Sequence, residues 1–259
     1  MGNNPLIHNL DIDQLHVHVY DNRRDMGSSV AGMVASLIRD LLGYQDTVRI
    51  VFASAPSQSE FLDSLANQEG IDWSRILAFH MDEYIGLEGN DPRGFGEFLR
   101  RSLFDKVNPG TVHFIDSSGM VADECIRYGH LLEEDAIDIV CLGVGENGHI
   151  AFNDPAVADF NDPKAVKEVQ LDLDCRKQQV NDGCFDEINK VPKTAITLTI
   201  PTLMSGKNLF CIVPGKSKKK AVNRMLNESI STECPASILR THANCMLFLD
   251  KESAGFEDE

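Results

Sequence analysis

GVGENGHIAFNDP, Gly143–Pro155, decides how the rest of the chain is read. It follows the short apolar run Ile137–Leu142, which reads as a buried strand. Gly143, Gly145 and Gly148 let the backbone turn tightly and approach a ligand closely. His149 stands just past the turn, and Asp154 lies further along the same segment. A strand end, a glycine turn, a base and an acid are what an open α/β enzyme sets at its ligand crevice. Read literally, Gly143–Gly148 is also GxGxxG, the dinucleotide fingerprint. That fingerprint requires a helix to begin at once beneath a pyrophosphate. Asn153-Asp154-Pro155 would break such a helix early, so the dinucleotide reading is set aside.

Outward from this stretch, strands alternate with helices. LHVHVY (15–20) alternates as a strand, and Ser28 is a candidate cap for a helix whose apolar stripe is Val30, Val34, Leu37, Ile38 and Leu41. Thr47–Ala53 reads as a strand running into SAPSQSEF, and RILAFHMDEY as another with polar residues at its end. Asp91 and Pro92 look like a cap and first helical residue, Val112–Ile115 like a short strand, and Met120–Glu134 like a helix. Ala195–Ile200, Asn208–Val213 and Cys245–Leu249 supply further strands, and PGKSKKKAVNRML starts a helix. The strands are apolar runs more than alternating ones, which indicates a mostly parallel sheet covered on both faces. The expected fold is therefore a three-layer αβα arrangement with a Rossmann-like sheet. Composition shows no break, so 1–259 reads as one domain, with the polar excursion 155–193 as a lid candidate.

Composition narrows the function. The net charge of −16 argues against nucleic acid, which demands clustered cations. No apolar run reaches membrane-spanning length, and residues 1–15 lack the apolar core of a secretory signal. The seven cysteines are scattered without a CxxC pair, as expected of reduced thiols in a cytoplasmic protein.

Four stretches carry candidate chemistry. A carboxylate near His149 can fix its tautomer and raise its basicity, which favours a catalytic role over that of a core histidine. Asp82 and Glu83 follow an apolar strand, where partial desolvation makes a carboxylate a usable base near neutrality. His80, Asp82 and Glu83 could alternatively ligate a metal, but adjacent strand residues face opposite ways. His16 and His18 share a face without a third ligand. Ser54, Ser57, Gln58 and Ser59 sit at one strand-to-helix turn, and Lys216, Lys218, Lys219 and Lys220 at another. Hydroxyls and backbone N–H groups at a helix start hold anions well, so the two turns together suggest a phosphorylated small molecule.

With these stretches in place, the sequence resembles the glucosamine-6-phosphate deaminase family, which shares its fold with 6-phosphogluconolactonases. The matching runs are FHMDEYIGL, LGVGENGHIAFNDP, VPKTAITLTIPTLM, PGKSK and PASILRTH. The resemblance implies release of ammonia from an amino sugar phosphate to leave a ketose 6-phosphate. It casts His149 as the base that opens the sugar ring, assisted by Asp154 and Asn147. Asp82 moves a proton from carbon 2 to carbon 1. Lys218, the backbone at Gly148 and the SAPSQS turn bind substrate, with Arg176 the nearest counterpart of a family arginine. Neither cofactor nor metal is expected, and the family's range leaves room for a homo-oligomer. SAPSQS replaces the family's PTGGTP loop, which leaves open whether the sugar is glucosamine 6-phosphate or an epimer such as galactosamine 6-phosphate. A lactonase of the same fold and a non-catalytic sugar-phosphate sensor are the alternatives.

Overall fold

The computed structural model describes residues 6–88 and 90–256. In chain order its strands are β1 (Leu6–Ile12), β2 (Leu15–Tyr20), β3 (Val48–Phe52), β4 (Ile76–His80), β5 (Asp82–Tyr84), β6 (Thr111–His113), β7 (Ile139–Leu142), β8 (Val166–Gln170), β9 (Thr194–Leu198), β10 (Asn208–Val213) and β11 (Cys245–Asp250). The helices are α1 (Arg23–Leu42), α2 (Ser59–Ala66), α3 (Phe95–Leu99), α4 (Asp105–Val107), α5 (Val121–Glu133), α6 (Leu173–Asn181), α7 (Ile200–Met204), α8 (Lys219–Asn227) and α9 (Lys251–Ala254). The main sheet runs β1-β2-β11-β10-β7-β3-β4-β6, and every pairing in it is parallel except β1 with β2.

Apolar runs make this sheet because each strand must be covered twice. In β3, Ile50 and Phe52 pack on one face with Val30, Val34 and Ile38 of α1 and Phe61 of α2. Val51 points the other way, into a core shared with Tyr128 and Leu132 of α5 and Val222 and Met225 of α8. Burying a side chain of this size contributes roughly 1.5–3 kcal/mol. A strand buried on both faces therefore reads as continuously apolar.

Strand order creates the crevice. From β3 the chain moves outward through β4 to β6, then returns to lay β7 against the opposite side of β3 and continues to β10 and β11. The connections leaving β3 and β7 thus diverge above their carboxyl ends, which opens a cleft at that switch point.

Several elements differ from the sequence reading. A strand at Leu6–Ile12 was not anticipated, because its side chains are mostly exposed and carry no periodic signal. α1 begins at Arg23, capped by the Asn22 side chain, which accepts the Asp25 N–H at 2.9 Å, rather than near Ser28. Asp91 caps no helix: its carboxylate takes the Arg93 N–H at 2.9 Å and its guanidinium, and α3 starts only after Gly94. RILAFHMDEY is two strands, not one. β4 ends at His80, and β5 turns away to join β9 and β8 in a separate antiparallel sheet. The excursion 155–193 is not featureless either: it contains β8 and α6, which pack with Tyr84, Phe95, Phe152 and Phe185 in a third core.

Candidate functional site

The glycine turn after β7 is shaped to hold one ring. The Gly145 N–H donates to the His149 carbonyl at 2.9 Å, and the Gly148 N–H donates to the Gly145 carbonyl at 3.0 Å. A Cβ on Gly145 would lie 2.2 Å from His149 Nε2, so the imidazole rests where only glycine leaves room. Gly148 has φ +93°, and a Cβ there would meet Cys234 Sγ at 2.7 Å. Asn147 works at both ends of the segment. Its Oδ1 accepts the His149 N–H at 3.0 Å, and its Nδ2 donates to Asp154 Oδ1 at 2.9 Å and to Asp172 Oδ2 at 3.2 Å. Asn153 closes the loop by donating to the carbonyls of Ile150 and Leu198 at 3.0 and 2.9 Å.

These bonds bring His149 Nδ1 to 2.8 Å from Asp154 Oδ1. The contact is short but stands off the axis of the ring N–H. Both residues are buried, and His149 presents its other edge to the cavity. Burial alone would raise the Asp154 pKa. Hydrogen bonds and the charge of His149, with Asn147 and the Asp172 N–H, outweigh it and leave the carboxyl below its ordinary value.

Asp82 has the opposite environment. It opens β5 at the edge of the same cavity, and burial, with the charge of Glu83 beside it, pushes its pKa well above the usual carboxylate range. Glu83 is tied down by backbone: it accepts the N–H groups of Tyr84, Phe95 and Gly96 at 2.9, 3.0 and 2.8 Å. It thereby anchors the start of α3 and the Phe95 side chain that walls the cavity. The alternative metal set of His80, Asp82 and Glu83 does not form. His80 Nδ1 donates to the Asp82 carbonyl at 2.9 Å and its Nε2 accepts the Ile115 N–H at 2.9 Å, so both ring nitrogens are spent. Burial drops the His80 pKa to about 4 and keeps the ring neutral.

Lys218, from the turn after β10, supplies positive charge to the cavity although it is only 4% exposed. Burial lowers its pKa, while nearby Asp182 and Glu146 act in the other direction. Ser54, Ser57 and Gln58 line the cavity from the turn after β3. Ser54 Oγ and Gln58 Oε1 are buried without a hydrogen-bond partner in the protein. Such groups await a ligand or water.

Two expected site residues fall elsewhere. Ser59 is exposed on the first turn of α2, and the Arg176 guanidinium donates to the carbonyls of Ile188 and Val191 at 2.6 and 3.0 Å. Arg176 thus ties the excursion to itself rather than facing the cavity. Gln178 and Gln179 of α6 line the cavity instead, with Gln178 Oε1 accepting the Glu146 N–H at 2.8 Å. Sequence reasoning missed them because α6 is polar almost throughout, and no pattern separates its buried glutamines from its exposed residues.

With this geometry in place, comparison with known proteins is decisive. The profile of the family described as glucosamine-6-phosphate isomerases/6-phosphogluconolactonase matches residues 21–248. The chain belongs to that family. A glucosamine-6-phosphate deaminase of Clostridium acetobutylicum is 30% identical over 243 residues, 92% of this chain and 97% of that one. A glucosamine-6-phosphate deaminase 2 of Giardia intestinalis is 34% identical over 200 residues, covering 76% of this chain and 74% of its own. A solved monomeric glucosamine-6-phosphate deaminase superposes with a TM-score of 0.85 at 26% identity, over 93% of this chain and 99% of that one. The 6-phosphogluconolactonase of Thermotoga maritima superposes at 0.75 with 21% identity over 92% of this chain and all of that one, and shares the fold.

The family membership gives the His149 seat a measurable consequence. Gly145→Ala forces the ring off its place, and with His149 in the catalytic role that the resemblance implies, a displacement of about an ångström is expected to cost about 10²-fold in catalysis. We expect that loss in kcat with an unchanged far-ultraviolet circular dichroism spectrum. Parent-like turnover would show that the ring position is immaterial.

Proposed function

We infer that the protein is an amino sugar phosphate isomerase–deaminase, converting glucosamine 6-phosphate, or an epimer such as galactosamine 6-phosphate, to the ketose 6-phosphate and ammonia. One observation carries this reading: a carboxyl held above its ordinary pKa, Asp82, shares a cavity with a histidine backed by an ionised carboxylate. A lactone hydrolase needs the histidine but has no use for a second carboxyl suited to carrying a proton between carbons.

In this reading Lys218 and the Ser54–Gln58 turn receive the phosphate. His149, oriented by Asp154, moves the proton that opens the pyranose ring. Asp82 takes the proton from carbon 2 and returns it to carbon 1, turning the amino aldose into a ketimine. Water then hydrolyses the imine to the ketone and releases ammonia. Met81, Phe95, Val144, Ala151 and Phe152 give the cavity apolar walls, which strengthen charge effects within it. Segment 155–193 serves as a cover through Gln178 and Gln179, and the whole chain acts as one unit. All seven cysteines are unpaired, which supports a reducing, cytoplasmic setting. Among the described residues no helix is long and apolar enough to cross a membrane.

The direct test is ammonia release from glucosamine 6-phosphate and galactosamine 6-phosphate, measured side by side. Release from either is expected and identifies the sugar. Release from neither, with hydrolysis of a phosphosugar lactone, would replace the deaminase with a lactonase; binding without turnover would leave a sensor. Asp82→Asn is expected to lower kcat by about 10²–10⁴-fold with little change in substrate affinity. The same variant gains stability at neutral pH. A carboxyl whose folded pKa is raised favours the folded state at low pH, and that contribution is lost as pH rises through the raised value. Equal activity, or a loss of stability confined to neutral pH, would contradict the assignment. Lys218→Met removes a charged partner for the phosphate. It is expected to raise KM and weaken inhibition by inorganic phosphate by about 10–10²-fold; unchanged affinity would place the phosphate elsewhere.

A further inference from the structure

One buried nucleophile touches the site without a part in the proton chemistry above. Cys175 lies on the first turn of α6 and is 1% exposed. Its N–H donates to the Asp172 capping carboxylate at 2.6 Å, which fixes the start of the helix. Cys175 Sγ, His149 Nδ1 and an Asp154 carboxylate oxygen all lie within 4.8 Å of one another. Tetrahedral zinc, with bonds of about 2.3 Å to sulfur and 2.0–2.2 Å to nitrogen and oxygen, sets its ligand atoms roughly 3.2–3.6 Å apart. Closing on an ion therefore changes each separation by no more than roughly 1.6 Å.

We propose that His149, Asp154 and Cys175 form a binding site for a thiophilic divalent cation of the zinc class, and that the bound ion holds the enzyme inactive. Three features favour an ion here. First, His149 Nδ1 is buried and turned towards Asp154 Oδ1 at 2.8 Å, so a nitrogen and an oxygen donor already face one another, and Nδ1 can offer its lone pair to a metal once its proton moves to Nε2. Second, charge balances: one thiolate and one carboxylate neutralise a dication, and binding releases the thiol proton to solvent, so no net charge is left buried. Third, His149 also borders the cavity, so only the imidazole ring separates the three ligand atoms from it. Asn147 and the Asp172 N–H hold Asp154 from outside, the kind of support that orients a ligating carboxylate. The sulfur donor selects zinc or cadmium over magnesium or calcium. An ion on Nδ1 and Asp154 removes the pair that moves the ring-opening proton. Inhibition thus rests on the proposed deaminase reaction, whereas binding does not.

The test is a cadmium titration of the chelator-stripped protein, following the ultraviolet thiolate-to-cadmium charge-transfer band. The expected result is one ion per chain, displaced by zinc. Loss of one ligand should cost more than the 10–100-fold typical of outer-shell changes. Cys175→Ser, Cys175→Ala and His149→Asn should therefore each weaken binding by at least about tenfold, with folding checked by circular dichroism. Cys184→Ser should bind as the parent does. No band in the parent, or an undiminished band in the folded Cys175 variants, overturns the site. In an ammonia assay, zinc should inhibit the parent reversibly and the Cys175 variants at least about tenfold less; equal inhibition would remove the regulatory claim. A charge-transfer band without any ammonia release would refute the deaminase reading alone.

Discussion

The 2.8 Å approach of His149 Nδ1 to Asp154 Oδ1 is the contact on which the site depends. A buried carboxylate is weak support for stability, because taking it out of water offsets most of what its partners return. Its surroundings reflect that cost. Asp154 is fully buried, yet Asn147, the Asp172 N–H and the Cys175 thiol all approach it. The histidine is held from beneath by the absence of a side chain at Gly145 and from behind by Asn147 Oδ1, which accepts the His149 backbone N–H. Even α6, remote in sequence, reaches back through Gln178 to the Glu146 N–H. The glycine turn, the Asn153 latch and the excursion over the cavity are one apparatus for keeping a single imidazole in place.

A second constraint separates two carboxyls of the same cleft. Asp82 is buried beside another acid and is pushed up; Asp154 is buried among donors and is pulled down. Environment, not residue type, thus moves the two carboxyls of one cleft in opposite directions, the separation that the proposed division of roles requires. Glu83 contributes indirectly. Burial raises its pKa, the three backbone N–H groups it accepts work against that rise, and the same bonds place Phe95 in the wall.

Much of this was legible in the sequence because it is local. The run Ile137–Leu142, the glycines and His149 with Asp154 are close neighbours in the chain, and the parallel sheet announces itself through strands that are apolar on both faces. What stayed hidden required distant partners. Nothing in RILAFHMDEY shows that Asp82 begins a strand of another sheet, since its partner Thr197 lies far along the chain. Arg176 was the natural candidate for an anion ligand, but the carbonyls of Ile188 and Val191 capture it. Cys175 looked like one more scattered thiol until α6 folded it against Asp154. Long-range packing decides these cases, and periodicity does not encode it.

The proposed reading requires a chain of net charge −16 to receive a phosphate at the Lys218 end of the cavity. The overall field repels such a substrate, so attraction must be generated locally. Four lysines gather at the turn after β10, and only Lys218 is buried, while Lys216, Lys219 and Lys220 stay exposed around it. The exposed three raise the local potential at long range, where salt screens them. Lys218 acts at contact range within a cavity that screens far less. The cavity wall it shares carries neutral polar groups, Ser54, Gln58 and Gln179, and among the lining residues no second Lys or Arg. Neutral donors add direction to a single charge without adding the desolvation cost of another, and they recognise oxygen geometry more than total charge. In the proposed deaminase reading, discrimination between sugar phosphates then falls to the hydroxyl and amine pattern met by Asp82 and His149, the two groups that reading gives the chemistry.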